Sequence, residues 1–598
     1  MTSPLPRAIG ALLTFAASTA VALAQDECTP PKVFTTSQLR VIPGGNVQIV
    51  LCNAPGHPTN LVPGLGVAFS AGGASTTAFI KPYLSPDETH FAIEADADTG
   101  STTNDNILLL DGALVLQEGT QAPFAPAGEL WGTVDDDYGL NNAGNLLIGN
   151  NLNGTAATTS DDWIAFYDNT SGTWSSIAQE GGLMDAVIPA LAGGTWDDSL
   201  DCCRLTTAGD PIFRADGCDG TPFPVTTSDE ILLLPGGAFL REAVDVPLLQ
   251  AGGTTNLWEN FDINDTYVSA DGLTWLVQGD MDGPTTSDDD ILAINNVILL
   301  QENQPIPGGP FAEPIDLNGI EFCWLDNGGN WYARGNNDVT EQDWVVRNGV
   351  VIAFSNGLDE IVPGSGEHWE DTGFAACFFA MDGNGSGAWV VGGVTDNADD
   401  SRDGVIVLDD GVGNRQVVAR EGDPVDLDGN GAYDDDLFFN TFGNDDVLVL
   451  ANGDVLFTAT LRNGLGAAQH QGVFRVTPGA ATCVIRNGNG INTLGFECTT
   501  APVLGGNWQL TTSPNPNTIL TLMVIGVAPF GPVPFLGGEV LIDPTGATTY
   551  SGGGLYNLAV PNVPFYQGVP LFLQAVRFDN VGGGQTVIMN AIDAVLGS

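Results

Sequence analysis

The sequence predicts an all-β chain: a seven-bladed β-propeller followed by a small C-terminal β-sandwich. Three observations lead there. A short turn-and-strand pattern recurs about every 60 residues between positions 144 and 453. Each period holds about four short apolar runs bounded by Gly, Asn, Asp and Pro, which is the signature of strands and not of helices. From about Thr482 the pattern stops, while strand-like runs continue to the end of the chain.

Residues 1–24 read as an export signal. Arg7 supplies the positive start, Ala8 to Ala22 the apolar stretch, and Ala22-Leu23-Ala24 a small-x-small cleavage site. The stretch is shorter than the roughly 20 residues a membrane span needs, and no later run is long and apolar enough. The expected product is secreted, whether extracellular, at the cell surface or periplasmic. Export makes disulfides the default state of the nine cysteines. The short-range pairings are Cys28 with Cys52, Cys483 with Cys498, and Cys218 with Cys202 or Cys203. Cys203, Cys323 and Cys377 fit equally as small core residues. Seventy-three acidic residues against sixteen basic ones give a net charge of −57, which excludes nucleic acid and anionic membrane surfaces as partners.

The repeat has a turn with glycine in fourth place, then an apolar strand. It reads Asn141-x-x-Gly144-x-x-Leu147-Ile148, Thr206-x-x-Gly209-x-x-Ile212-Phe213, Ser269-x-x-Gly272-x-x-Trp275-Leu276 and Asp326-x-x-Gly329-x-x-Tyr332-Ala333. It returns as Asp382-x-x-Gly385-x-x-Ala388-Trp389 and Gly453-x-x-Leu456-Phe457. A degenerate copy at Ser85 to Phe91 makes seven units, with six or eight blades as the alternatives. Two further markers keep the period. A Thr/Ser/Asp cluster ends at Asp105, Asp161, Asp229 and Asp288, with weaker versions at Asp343 and Asp403. A glutamate follows the third strand at Glu118, Glu180, Glu242, Glu302 and Glu421. The clusters suit turn chemistry, because Asp and Ser side chains bond their own backbone. A glutamate demanded once per unit suits packing or a hydrogen bond between blades.

In the unit around Gly272 the runs are Leu273 to Gln278, Ile291 to Ile294, Val297 to Gln301 and Ile320 to Leu325, with Asn295-Asn296 as a tight hairpin turn. Four-stranded units repeated radially point to a propeller; a solenoid would have a period nearer 20–30 residues. The last copy shows only two clear strands, Val455 to Ala459 and Gly472 to Val476. The N-terminal segment offers the missing partners, Asn46 to Cys52 as an outer strand and Thr77 to Leu84 as an inner one. Such closure removes an open edge. The expected domains are therefore 25–480 for the propeller and 481–598 for the sandwich.

On these motifs the chain resembles the tandem NxxGxxAF-repeat proteins of bacteria, a secreted and propeller-like family. The resemblance implies a fold and export, and no reaction. The C-terminal segment resembles a module of similar secreted proteins, opening with Asn489-Gly490-Ile491-Asn492 and closing with Asn590-Ala591-Ile592-Asp593.

One local pattern points to a cofactor. Asp426, Asp428, Asn430 and Asp434, with the Ala432 carbonyl, match positions 1, 3, 5, 9 and 7 of a calcium loop around Gly431. Position 12 is Leu437 and not Glu, so a bound Ca²⁺ is expected to be held with modest affinity. Ser269-Ala270-Asp271-Gly272-Leu273-Thr274-Trp275 is similar to the Asp-box of sialidase-type propellers, but is one residue short and coincides with the ordinary repeat turn. No catalytic motif is recognisable, and no catalytic residue is assigned. The expected function is a non-catalytic binding or structural module for an extracellular or cell-surface protein or glycan. The alternative is an extracellular glycan-active hydrolase or lyase. It would show itself as unlike polar residues converging at one axial mouth, each departing from the repeat.

Overall fold

The computed structural model describes residues 45–597 apart from 71–77, 135–137, 156–159, 197–198, 221–222, 224–227, 251–255, 263–265, 284–287, 308–311, 363–366, 371–375, 412, 414, 428–434, 479–481, 503–506, 527, 546, 561–568 and 581–583. The export signal, Cys28 and most of the calcium loop (Asp428, Asn430, Ala432 and Asp434) lie outside the described residues. Apart from three single-turn 3-10 helices, every described element is a strand.

Seven antiparallel four-stranded sheets carry residues 45–478. Their first strands are Phe79–Leu84, Tyr138–Leu140, Leu200–Leu205, Thr266–Val268, Ile315–Leu325, Phe378–Gly383 and Leu437–Val449. Each sheet buries both faces against its neighbours, which is why third strands such as Asn106–Leu110 and Gly404–Asp409 are buried along their whole length. Leu108 of the first sheet shares a core with Leu146 of the second, and Leu147 of the second with Phe213 of the third. Leu232 packs with Val277, Leu292 with Trp344, Val345 with Val391, and Val390 with Phe457. Finally Ile93 and Leu109 of the first sheet meet Leu448 and Leu456 of the seventh, so the succession of cores returns to its start.

The N-terminal strand Gly45–Cys52 pairs antiparallel with Ala468–Pro478, Val47 opposite Val476 and Ile49 opposite Phe474. It is the outer strand of the seventh sheet, as the sequence predicts. The inner strand differs from expectation. Phe79–Leu84 opens the first sheet, and Leu437–Val449 opens the seventh. Asn440, Thr441, Asn444, Asp445 and Asp446 interrupt its apolar pattern, and two register shifts break its pairing, so it does not read as a strand. The unit boundary also moves: Ile320 to Leu325 belongs to the fifth sheet and not to the fourth. The Asn295-Asn296 turn is as expected, with φ of 47° and 65°, the mirror-image geometry that suits a two-residue hairpin.

The repeated turn joins the first and second strands of each sheet. Gly144, Gly209, Gly272, Gly329 and Gly453 all have φ between 73° and 89°, a region costly for residues with a Cβ. Glu88, at φ 58°, takes this place in the first sheet. In the sixth sheet the register shifts by two residues. Asn384 N–H donates to Ala388 O at 3.3 Å and Asn384 Oδ1 accepts from Ser386 N–H at 3.0 Å, so Asn384 and Gly387 form the turn and Asp382 lies before it.

The Thr/Ser/Asp clusters close the hairpins between second and third strands. Ala97 N–H donates to Asp105 O, and Leu152 N–H to Asp161 O, both at 2.7 Å. The glutamates act within their own sheet: Glu180 Oε2 accepts from Asp161 N–H at 3.1 Å, and Glu242 Oε2 from Glu230 N–H at 3.3 Å. Ser269 Oγ donates to Asp271 Oδ1 at 2.7 Å, so the Asp-box-like stretch is an ordinary turn cap.

Residues 482–597 form a five-stranded and a three-stranded sheet packed on one core that includes Trp508, Met523, Leu573 and Ile592, with a two-stranded hairpin of Pro529–Phe535 and Gly538–Ile542. Cys483 is bonded to Cys498, at a Cα separation of 6.4 Å. The two asparagine motifs clasp this unit: Asn492 exchanges hydrogen bonds with the Glu539 backbone and Asn590 with the Phe496 backbone. Cys203, Cys323 and Cys377 lie in cores between sheets. Among the described residues no helix is long and apolar enough to cross a membrane.

Candidate functional site

The first strands of all seven sheets end around one cavity of about 80 Å³, room for a few waters or one small group. The equivalent position in each sheet, two residues before the turn residue, faces it. From the first to the fourth sheet this position is Tyr83, Gly139, Arg204 and Tyr267. In the fifth to the seventh it is Trp324, Asp382 and Leu448. The turns themselves repeat, whereas these seven positions carry six different residue types, with Tyr alone occurring twice. A repeat that served folding alone would place similar residues here.

The rings form a continuous wall. Tyr83 and Trp324 stand edge to face with centroids 6.2 Å apart, and Trp324 and Tyr267 at 4.9 Å. The Arg204 guanidinium lies 4.5 Å over the Tyr267 ring, and its Nη1 donates to Cys203 O at 2.8 Å. Arg204, Tyr267, Asp326 and Asp382 are buried, whereas Tyr83 and Trp324 keep part of their surface open.

Burial pushes the Asp382 carboxyl well above the usual carboxylate range. The backbone N–H groups of Val449 and Gly383 oppose the shift, and neighbouring Asp326 adds to it. Val449 N–H donates to Asp382 Oδ2 at 2.6 Å. Burial therefore shifts Asp382 toward its protonated form. Burial likewise raises Tyr83, with Arg204 opposing. Asp326 is committed to the fold: its carboxylate accepts from Gly328 N–H and Asn330 N–H at 2.8 Å and from Gly385 N–H at 3.0 Å. Elsewhere Arg334 of the fifth sheet donates from Nη1 and Nη2 to the Asp445 carboxylate of the seventh, at 2.9 and 3.2 Å, a link that skips the sixth sheet.

None of the sequence-predicted site residues lines this cavity. Of the calcium ligands only Asp426 is described. By its sequence Asp382 opens a repeat copy; the signal that singles it out is the two-residue shift that puts Asn384, and not Asp382, in the turn. Arg204 and Trp324 stand in strands without a motif of their own.

No protein-family model matches the chain, and no curated protein matches its sequence. Among solved structures, the polysaccharide lyase Uly1 is similar at a TM-score of 0.34 and 9% identity, over 73% of this chain and 100% of its own. A fungal alcohol oxidase of the AA5 family, in complex with copper, is similar at a TM-score of 0.27 and 11% identity, over 92% and 100%. A protein of unknown function from Dyadobacter fermentans DSM 18053 follows at 0.26 and 9%, over 73% and 100%. Likenesses this distant transfer no residue to this chain.

Proposed function

We propose that the chain is an exported seven-bladed β-propeller with a C-terminal β-sandwich that acts on an extracellular glycan at its axial cavity. The observation that carries this reading is the set of unlike residues at seven equivalent positions. An aromatic wall suits the apolar face of a sugar ring, Arg204 can hold hydroxyl oxygens, and Asp382 can protonate a glycosidic oxygen as the bond to carbon breaks. Seven sheets with seven shared cores support the blade count, and the Cys483–Cys498 bond supports an oxidising destination. Membership of the NxxGxxAF-repeat family and a stabilising Ca²⁺ at Asp426 to Asp434 belong to the same proposal.

The test is release of reducing ends and of unsaturated products from a panel of soluble polysaccharides, comparing wild type with Asp382→Asn. Loss of the donor should lower turnover by about 10²-fold or more. Turnover unchanged in the variant would remove Asp382 from the chemistry. One observation favours the second reading, a binding module: Asp326, the carboxylate neighbouring Asp382, is bound up in holding turns, whereas hydrolysis commonly uses two carboxyl groups. Under that reading glycans bind, binding depends on Trp324, and nothing is released.

A further inference from the structure

Resting on the axial glycan site proposed above, we infer that the sugar residue it takes is neutral, and that chains carrying uronate or sulfate groups are turned away. The aromatic wall of Tyr83, Trp324 and Tyr267 offers ring faces and edges, which recognise the C–H face of a sugar and no ionic group. Among the residues lining the cavity Arg204 is the one cation, against the carboxyl groups of Glu88, Asp326 and Asp382. Arg204 lies 4.5 Å over Tyr267 and donates one N–H to Cys203 O. An anionic group entering here meets a carboxylate surplus around a single guanidinium.

The whole molecule acts in the same direction. A chain of net charge −57 repels a polyanion during approach, and screening over about 8 Å at physiological salt weakens this without abolishing it at contact. Neutral polysaccharide feels neither penalty. Selectivity of this origin has a signature: it narrows as salt rises, because repulsion and not a steric fit sets it.

The experiment is calorimetric titration of the full secreted chain with a neutral set (soluble β-glucan, xylan and galactomannan) and an anionic set (polygalacturonate, alginate and dextran sulfate), at 20 and 300 mM NaCl. The expected result is binding of at least one neutral polymer, at least tenfold tighter than any anionic one at 20 mM, with the gap narrowing at 300 mM. Asp326→Asn with Glu88→Gln should narrow the gap at low salt; Asn141 at the equivalent position of the second sheet shows that an Asn Oδ1 can accept the two N–H bonds within the turn, and a thermal melt checks that the variant folds. Preferential binding of a polyanion at 20 mM overturns this inference and leaves the axial glycan site standing. Absence of binding by both sets overturns the site itself, and the inference with it. Trp324→Ala identifies the place: neutral binding that survives it lies away from the axis and overturns both.

Discussion

Gly453 turns the hairpin between Leu437–Val449 and Val455–Asn463 at φ +85°, and nothing lies within 4 Å of where a Cβ would stand. The position therefore isolates backbone strain from crowding. Gly453→Ala should cost about 1–2 kcal/mol, and Gly453→Asn less, because Asn tolerates this conformation; thermal melts of the two variants compare the costs directly. Buried carboxyls supply a second expectation at this scale. Burial and the adjacent Asp403 push Glu421 up to about 8, burial pushes Asp290 up to about 9, and burial raises Glu230 to about 7 against the opposing pull of Arg214. A carboxyl whose value is raised on folding binds its proton more tightly when folded. Its contribution is complete below the unfolded value near 4 and is lost as pH climbs through the folded value. Stability should accordingly fall between pH 5 and 8.5, by several degrees in Tm, and Glu421→Gln should remove part of that fall. A Tm that rises over this interval would contradict the assignment.

The closing strand is the element on which the ring depends. Gly45–Cys52 covers the edge of Ala468–Pro478, and Val47 and Ile49 pack into the core between the sixth and seventh sheets. Removing residues 45–52 exposes that edge and part of that core, so the truncated chain should self-associate and unfold at lower temperature; size-exclusion chromatography and melting of the two forms are the measurements. A truncated chain as monomeric and stable as the parent would show that the ring closes without it. The segment 426–436 precedes the seventh sheet, its start tied to its end by Leu427 N–H donating to Asp435 Oδ2 at 2.7 Å. If Ca²⁺ binds there at a Kd on the order of 10⁻⁴–10⁻³ M, tenfold excess should stabilise the protein by about 1.4 kcal/mol. Melts in calcium and in chelator at matched ionic strength read this, and Asp426→Ala with Asp428→Ala should abolish the response. An equal response in the double variant would mean general charge screening.

At the scale of the whole molecule, local chemistry and long-range assembly divide what could be read in advance. The sequence by itself determined the all-β class, the turn glycines, the Asn295-Asn296 hairpin, the outer closing strand and the Cys483–Cys498 pairing. Each depends on neighbours a few residues apart, on a period repeated often enough to stand out, or on an apolar run at one end of the chain that needed a partner at the other. The C-terminal strands were legible for the same reason: Thr518–Gly526 is the run the sequence marks. Leu437–Val449 was not, since polar residues within it break the alternation that identifies a strand, and pairing on one side with Val455–Asn463 and packing in the ring hold it in place. The axial site lay beyond local reading altogether. Tyr83 and Asp382 are about 300 residues apart in the chain and carry no shared motif; only the ring of sheets brings them to one cavity. There, loss of solvent, and not residue type, raises the aspartate's hold on its proton. Tertiary structure decided the site because its chemistry depends on burial and convergence, which no short stretch of sequence encodes.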